Sequence, residues 1–150
     1  MTDRFPRLRS VVLDTTDART LAEFYRELLG YHYRPGDEPP GPGQPDVKGR
    51  DWLVLTDPSE PERRLAFQQV EELAPPTWPE AGVPQQLHLD LSVTSTAALE
   101  VQHRRALGLG ARMVRDRSQD PQEPLYVYAD PAGHPFCIFM AGDPVPPGSG

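Results

Sequence analysis

The placement of its prolines constrains this chain more than any other feature. Nineteen of the 150 residues are proline, and a pyrrolidine ring disrupts helix interiors and central strands alike. A long helical bundle or coiled coil is therefore excluded. The prolines also cluster. Residues 35–46 (PGDEPPGPGQPD), 75–84 (PPTWPEAGVP) and 141–150 (AGDPVPPGSG) hold most of them, and Pro121 and Pro124 mark a further break. Regular structure must fit into the short segments between these breaks.

Those segments have clear periods. Residues 8–15 (LRSVVLDT) are rich in β-branched and apolar residues and predict a strand. Thr16-Asp17 caps a helix over 18–29, in which Leu21, Phe24, Tyr25, Leu28 and Leu29 recur at helical spacing. Gly30 ends it as a C-terminal glycine does. A short strand at 31–34 and strands at 51–56 and 64–70 follow, with Asp57-Pro58-Ser59 turning between the last two. The pattern then restarts. Residues 86–93 (QLHLDLSV) alternate, with Leu87, Leu89, Leu91 and Val93 on one face and His88, Asp90 and Ser92 on the other. Thr94 or Ser95 caps a helix over 96–107, whose inward candidates include Ala98, Leu99, Val101, Gln102 and Leu107. Gly108 and Gly110 end it. Strands are expected at 111–115, 125–129 and 135–140, with Asp130-Pro131-Ala132-Gly133 as a tight turn.

The order β-α-β-β-β therefore occurs twice. Asp17 and Ser95 both begin helices, and Gly30 and Gly108 both follow helix ends, each pair 78 residues apart. One helix and four strands enclose little core alone, so the two modules are expected to join into one α+β domain. The expected form is a cup-shaped, partly closed mixed sheet with helices outside. Module 1 runs over about 8–70, a Pro-rich linker over 71–85 and module 2 over 86–140. The tail 141–150 is expected to be disordered.

Composition removes several functions. A net charge of −7 and a pI near 5.0 oppose binding to nucleic acid, which demands a basic patch. Arg4, Arg7 and Arg9 beside Asp3 read as a solvated end. No apolar run reaches the roughly 20 residues of a membrane span. Residues 1–20 lack the layout of a signal peptide. The one cysteine, Cys137, has no internal disulfide partner. The expected setting is soluble and cytoplasmic.

At this point the sequence resembles a known family. Asp17 through Gly30 (D-x6-FYRELLG), HLDLSV at 88–93 and DPAGHPF at 130–136, within the paired βαβββ pattern, look like the vicinal oxygen chelate superfamily. That superfamily includes glyoxalase I, extradiol dioxygenases, bleomycin-resistance proteins and fosfomycin-resistance enzymes. The resemblance spans about residues 8–140 and concerns the fold, not one reaction. Carried over by position, the family's metal-ligand sites fall on Ser10, Gln68, His88 and Cys137. Only His88 keeps a usual ligand type. Cys137 stands where a glutamate is expected, Gln68 replaces another carboxylate, and Ser10 replaces a histidine or glutamine. The resemblance thus implies a metal-independent binder that holds a small molecule in the cup and requires no cofactor. The alternative is a lyase, isomerase or dioxygenase-type enzyme. It would use His88 as metal ligand or general base, with a divalent ion on His88 and Gln68. Homodimerisation is expected by the same resemblance.

The residues themselves support a pocket list. His88 points away from the leucine face, and an adjacent carboxylate suits a general base. Asp90 is its candidate partner, although i and i+2 side chains in a strand lie roughly 6–7 Å apart. His88 could equally be a strand histidine bonded to its neighbours. Trp52, Tyr126 and Tyr128 are candidate pocket rings or plain packing. Trp78 is a candidate lid or loop anchor. Ser10, Gln68 and Cys137 complete the list, with Cys137 read as a small apolar residue rather than a nucleophile. The ligand itself is not legible.

Overall fold

The computed structural model describes residues 4–141, and its chain divides into two compact units, Met1–Leu73 and Ala74–Gly150. The expectation of a disordered tail falls outside the described residues from 142 onward. The first unit contains β1 (Val11–Thr15), α1 (Ala18–Leu29), β2 (His32–Tyr33), a single 3₁₀ turn (Lys48–Arg50), β3 (Trp52–Thr56) and β4 (Arg64–Gln69). The second contains β5 (Leu89–Val93), α2 (Thr96–Leu109), β6 (Arg112–Arg117), β7 (Leu125–Ala129) and β8 (Pro135–Met140). Each unit is one βαβββ module with a mixed four-stranded sheet, ordered β1-β4-β3-β2 in one and β5-β8-β7-β6 in the other. The first strand of each module pairs parallel with the last, and the remaining pairs are antiparallel. Among the described residues, no helix is long and apolar enough to cross a membrane.

In the first unit, α1 starts where Asp17 accepts hydrogen bonds from Thr20 N (3.1 Å) and Thr20 Oγ1 (2.8 Å). It ends at Gly30, whose φ of 70° is the left-handed C-cap conformation that glycine adopts without strain. Its apolar stripe buries Leu21, Phe24, Tyr25 and Leu28 against one face of the sheet, and Tyr25 stacks on Phe67 at 5.9 Å. Leu13, Leu53, Leu55 and Phe67 complete that core. The Pro-rich segment 35–46 is pinned to this unit by two carboxylates. Buried Asp37 accepts from Val54 N at 2.9 Å. Asp46 takes a two-pronged ion pair from Arg19 of α1, at 2.8 and 2.9 Å.

The second unit repeats the plan with a weaker helix. Ser95 caps α2 through Ala98 N at 3.0 Å, matching Asp17 of the first module. The expected end at 107 is corrected. The helix runs to Leu109, Gly108 lies inside it, and Gly110 (φ 118°) is the cap. Val101 and Leu107, expected inward, are exposed. Leu99 and Ala106 point in, with His103 between them. The β7–β8 turn is built by buried Asp130, which accepts from Ala132 N (2.9 Å) and His134 N (3.0 Å). Gly133 (φ 95°) closes it, and a Cβ there would lie 2.6 Å from Pro75 Cβ.

Two strands start three residues later than expected, at Val11 rather than residue 8 and at Leu89 rather than residue 86. Each begins where its parallel partner can pair. The first register pair of β5 is Leu89 with Phe136, and the residue before it, Pro135, has no N–H to donate. His88 therefore precedes the strand.

Candidate functional site

Each sheet has one face under its helix and one face that the helix leaves uncovered. On β8, Phe136 and Ile138 are buried on the helix side, and Cys137 faces the other way. The register carries this across the sheet: Asp90 and Val127 pair with Cys137, while Tyr126 pairs with Ile138 and Tyr128 with Phe136. Tyr126 and Tyr128 thus pack beneath α2. His103 stacks on Tyr126 at 3.8 Å and bonds the Tyr128 hydroxyl through Nδ1 at 2.7 Å. Tyr126 donates its own hydroxyl to Glu100 at 2.7 Å. The two tyrosines proposed as pocket rings therefore occupy the helix–sheet core. Leu125 and Val127, which alternate with them, face the pocket side.

On the uncovered face of the second sheet, three sequence candidates converge. His88 Nε2 lies 3.2 Å from Asp90 Oδ1. One ligand atom from each of His88, Asp90 and Cys137 lies within 4.8 Å of the others. Burial, and then the negative charge and hydrogen bonding of Asp90, push the Cys137 thiol up to about 11. A pocket of about 190 Å³ adjoins this group, lined by Trp78, Gln85, His88, Arg115, Val127 and Cys137 among others. Trp78, expected as lid or anchor, is one wall, with the Arg115 guanidinium 5.2 Å over its ring. Gln85 is one of the lining residues, and its buried Oε1 has no hydrogen-bond partner among the described residues.

Sequence reasoning missed Arg115 and Arg117. Strict alternation puts Arg115 on the same face as Met113. A bulge between them shifts the register, so that Met113 pairs with Tyr128 but Arg115 pairs with Val127. Such bulges re-aim side chains, and only the pairing reveals them. Gln85 was missed because it lies in the linker, where no period marks a facing side.

The remaining candidates belong to the first unit. There the uncovered face is crossed by three rows of side chains. Arg64, Thr56 and His32 form the first, Val12, Ala66 and Val54 the second, and Asp14, Gln68 and Trp52 the third. Ser10 precedes the Val11–Leu65 pair, as Arg64 does on the partner strand. Ser10 and Trp52 line a separate pocket of about 540 Å³. Gln68 is exposed between Asp14 and Trp52. The metal-donor group of the second unit is completed by Asp90, a residue that the family pattern did not supply.

A model of the glyoxalase-like domain matches residues 10–139. The chain belongs to that family. With it, the chain joins the vicinal oxygen chelate superfamily expected from its motifs. This glyoxalase-like chain matches no curated protein significantly. Solved structures resemble it in fold. A glyoxalase/dioxygenase from Nostoc punctiforme is 16% identical with TM-score 0.65, over 91% of this chain and 92% of that one. A glyoxalase/bleomycin resistance protein/dioxygenase family enzyme from Burkholderia phytofirmans PsJN is 18% identical with TM-score 0.63, over 88% and 96%. Fosfomycin resistance protein FosX from Mesorhizobium loti is 12% identical with TM-score 0.62, over 91% and 93%.

For a divalent ion of the kind this superfamily often uses, the donor set of this glyoxalase-like chain fits a small tetrahedral centre. Imidazole, carboxylate and thiolate are all accepted donors, and three protein ligands leave one position open. Donors around such an ion lie roughly 3.4–3.7 Å apart. The His88–Asp90 contact of 3.2 Å is close to that spacing. The 4.8 Å limit of the group requires a modest inward movement.

Proposed function

We propose that this chain is a glyoxalase-like small-molecule-binding protein that holds its ligand on the uncovered face of the second sheet, with no resident metal required. The observation that carries this reading is the pocket beside His88, where the Gln85 acceptor has no donor among the described residues. Trp78 and Val127 supply apolar walls, while His88 and Gln85 supply directional polar contacts. That mixture is what small-ligand sites use. At about 190 Å³ the pocket falls below the roughly 300–1,000 Å³ of drug-sized sites, so it favours a small metabolite carrying an N–H or O–H donor. The test is a thermal-shift screen of such metabolites on metal-stripped protein. A true ligand stabilises the folded chain by mass action, by about 2.7 kcal/mol at 100 times Kd. Gln85→Leu is expected to abolish that shift. A screen in which no compound shifts the wild-type protein, or a shift retained in Gln85→Leu, overturns the reading.

A second reading is favoured by the His88–Asp90–Cys137 group. In it the chain is an enzyme of lyase, isomerase or dioxygenase type. His88 Nε2, an Asp90 oxygen and Cys137 Sγ hold a divalent ion, whose chemistry is to stabilise a developing oxyanion. Without the ion, His88 remains a candidate base, with Asp90 orienting its ring. The fold does not choose between the readings: its neighbours include proteins named as a fosfomycin resistance protein and as a lactoylglutathione lyase. Elemental analysis of protein purified without chelator separates them. Stoichiometric metal lost in His88→Ala supports the enzyme, as does a thiolate-to-cobalt band lost in Cys137→Ser. A homodimer belongs to the same family-based reading, and light scattering tests it.

A further inference from the structure

The pocket that Ser10 and Trp52 line on the first unit has no part in either reading above. Its lining changes character along the strands. Arg9, Ser10 and Arg64 lie towards one end, Val54 lies in the middle, and Trp52 lies towards the other. Trp52 lies four positions along β3 from Thr56, the cross-strand partner of Arg64. At the rise of a strand that is roughly 13 Å, which the long arginine and indole side chains can shorten from both ends.

The charges in this pocket are unevenly answered. Arg34 pairs with buried Asp37 at 3.1 Å. The one carboxylate in the lining, Asp57, accepts from Ser59 N and Oγ and lies 3.9 Å from Arg63. Arg9 and Arg64 pair with no carboxylate among the described residues, although both line this pocket and the neighbouring cleft with Arg7 and Glu62. In a chain of net charge −7, long-range attraction does not bring an anion here. Two guanidinium groups without a carboxylate partner among the described residues, at one end of a pocket, nevertheless suit short-range capture of an anion, because each presents a fork of donors that matches a carboxylate or phosphate. The volume of about 540 Å³ sits within the ordinary small-molecule range.

We propose that this pocket binds a small organic anion whose carboxylate or phosphate lies between Arg9 and Arg64 and whose flat apolar body runs over Val54 to Trp52. His88 is not among the residues that line this pocket. Four probes test it by calorimetry: 2-naphthoate, 2-naphthyl phosphate, the neutral isostere 2-naphthamide, and inorganic phosphate. At least one naphthyl anion is expected to bind saturably at one site, at least about tenfold tighter than 2-naphthamide and than inorganic phosphate. The tighter of the two anions assigns the head group. Arg64→Gln is expected to weaken the anion about tenfold and leave 2-naphthamide unchanged, and Arg64→Lys is expected to retain part of the affinity. Trp52→Leu is expected to weaken both naphthyl anions. Melting temperatures of these variants confirm that they fold. Equal binding of the amide and the anions, or no effect of Arg64→Gln, overturns the proposal. So does failure of both anions to bind tighter than about 1 mM. Loss of anion binding in His88→Ala but not in Arg64→Gln overturns it too, and transfers the ligand to the second unit.

Discussion

His88 Nε2 lies 3.2 Å from Asp90 Oδ1, only two residues along the chain. In a regular strand those side chains stand roughly 6–7 Å apart. The contact forms because β5 begins at Leu89, so the His88 backbone is free of the strand geometry. It also brings the Asp90 carboxylate to the thiol of Cys137, its register partner on β8.

With its midpoint at about 11, Cys137 is a neutral thiol at pH 7, and only the thiolate is nucleophilic. Alkylation by iodoacetamide should be slow at neutral pH and climb about tenfold per pH unit towards pH 11. Asp90→Asn removes a negative charge that opposes ionisation, so its rate profile should move to lower pH. Mass spectrometry of the labelled protein across pH 7–11.5 checks both expectations. Unchanged profiles in the variant would refute the role given to Asp90.

The acid stability of the first unit depends on Arg19 and Asp46. The Arg19 hydrogen bonds hold the Asp46 carboxyl below its ordinary 3.8. A carboxyl lowered by folding stabilises the native state above its unfolded value, and that contribution disappears as pH falls through the lower, folded value. Asp46→Asn should therefore cost up to about 1 kcal/mol at pH 7 and much less at pH 2. Urea unfolding at the two pH values measures the difference. An equal cost at both would show that the charge has no part in it.

Beneath α2, the 2.7 Å bond between His103 and the Tyr128 hydroxyl makes a graded prediction. Tyr128→Phe removes one partner and should cost about 1 kcal/mol. His103→Ala strands the buried hydroxyl and uncovers the Tyr126 ring, so it should cost about 1–3 kcal/mol. The double variant should cost less than the sum, because the singles share one contact. Neither change lies on the His88 face, so a metabolite found in the thermal-shift screen should bind both variants with unchanged Kd. Altered affinity would contradict the assignment of faces.

Gly133 is expected to tolerate no side chain. Its φ of 95° and the 2.6 Å that would separate any Cβ there from Pro75 Cβ act together. Gly133→Ala should destabilise the chain by about 1–3 kcal/mol, read as a lower midpoint in urea. Pro75→Gly added to it should restore the part due to the clash and leave the part due to φ.

Much of this architecture was legible in the residues. Caps and turns are local: Asp17, Ser95, Gly30 and the Asp130 turn work through atoms a few positions away, so their types and spacing announce them. The helix–sheet core of the first module was legible for a related reason, since the wide apolar stripe of α1 has one way to face. The stripe of α2 is poorly defined, and there the sequence could not tell Val101 and Leu107 from Leu99 and Ala106. The candidate site was legible only in part. His88, Asp90 and Cys137 were named from alternation and family position, but their meeting depends on the parallel β5–β8 register. The side of the sheet that each residue faces is a property of pairing. Tyr126 and Tyr128 pass beneath α2, and Arg115 joins the pocket across a bulge. The sequence by itself determined two βαβββ modules, because their signals lie within single segments. Tertiary structure alone decided which alternating face the helix covers, and hence which polar residues remain to meet a ligand, because that choice is made by contacts between segments far apart in the chain.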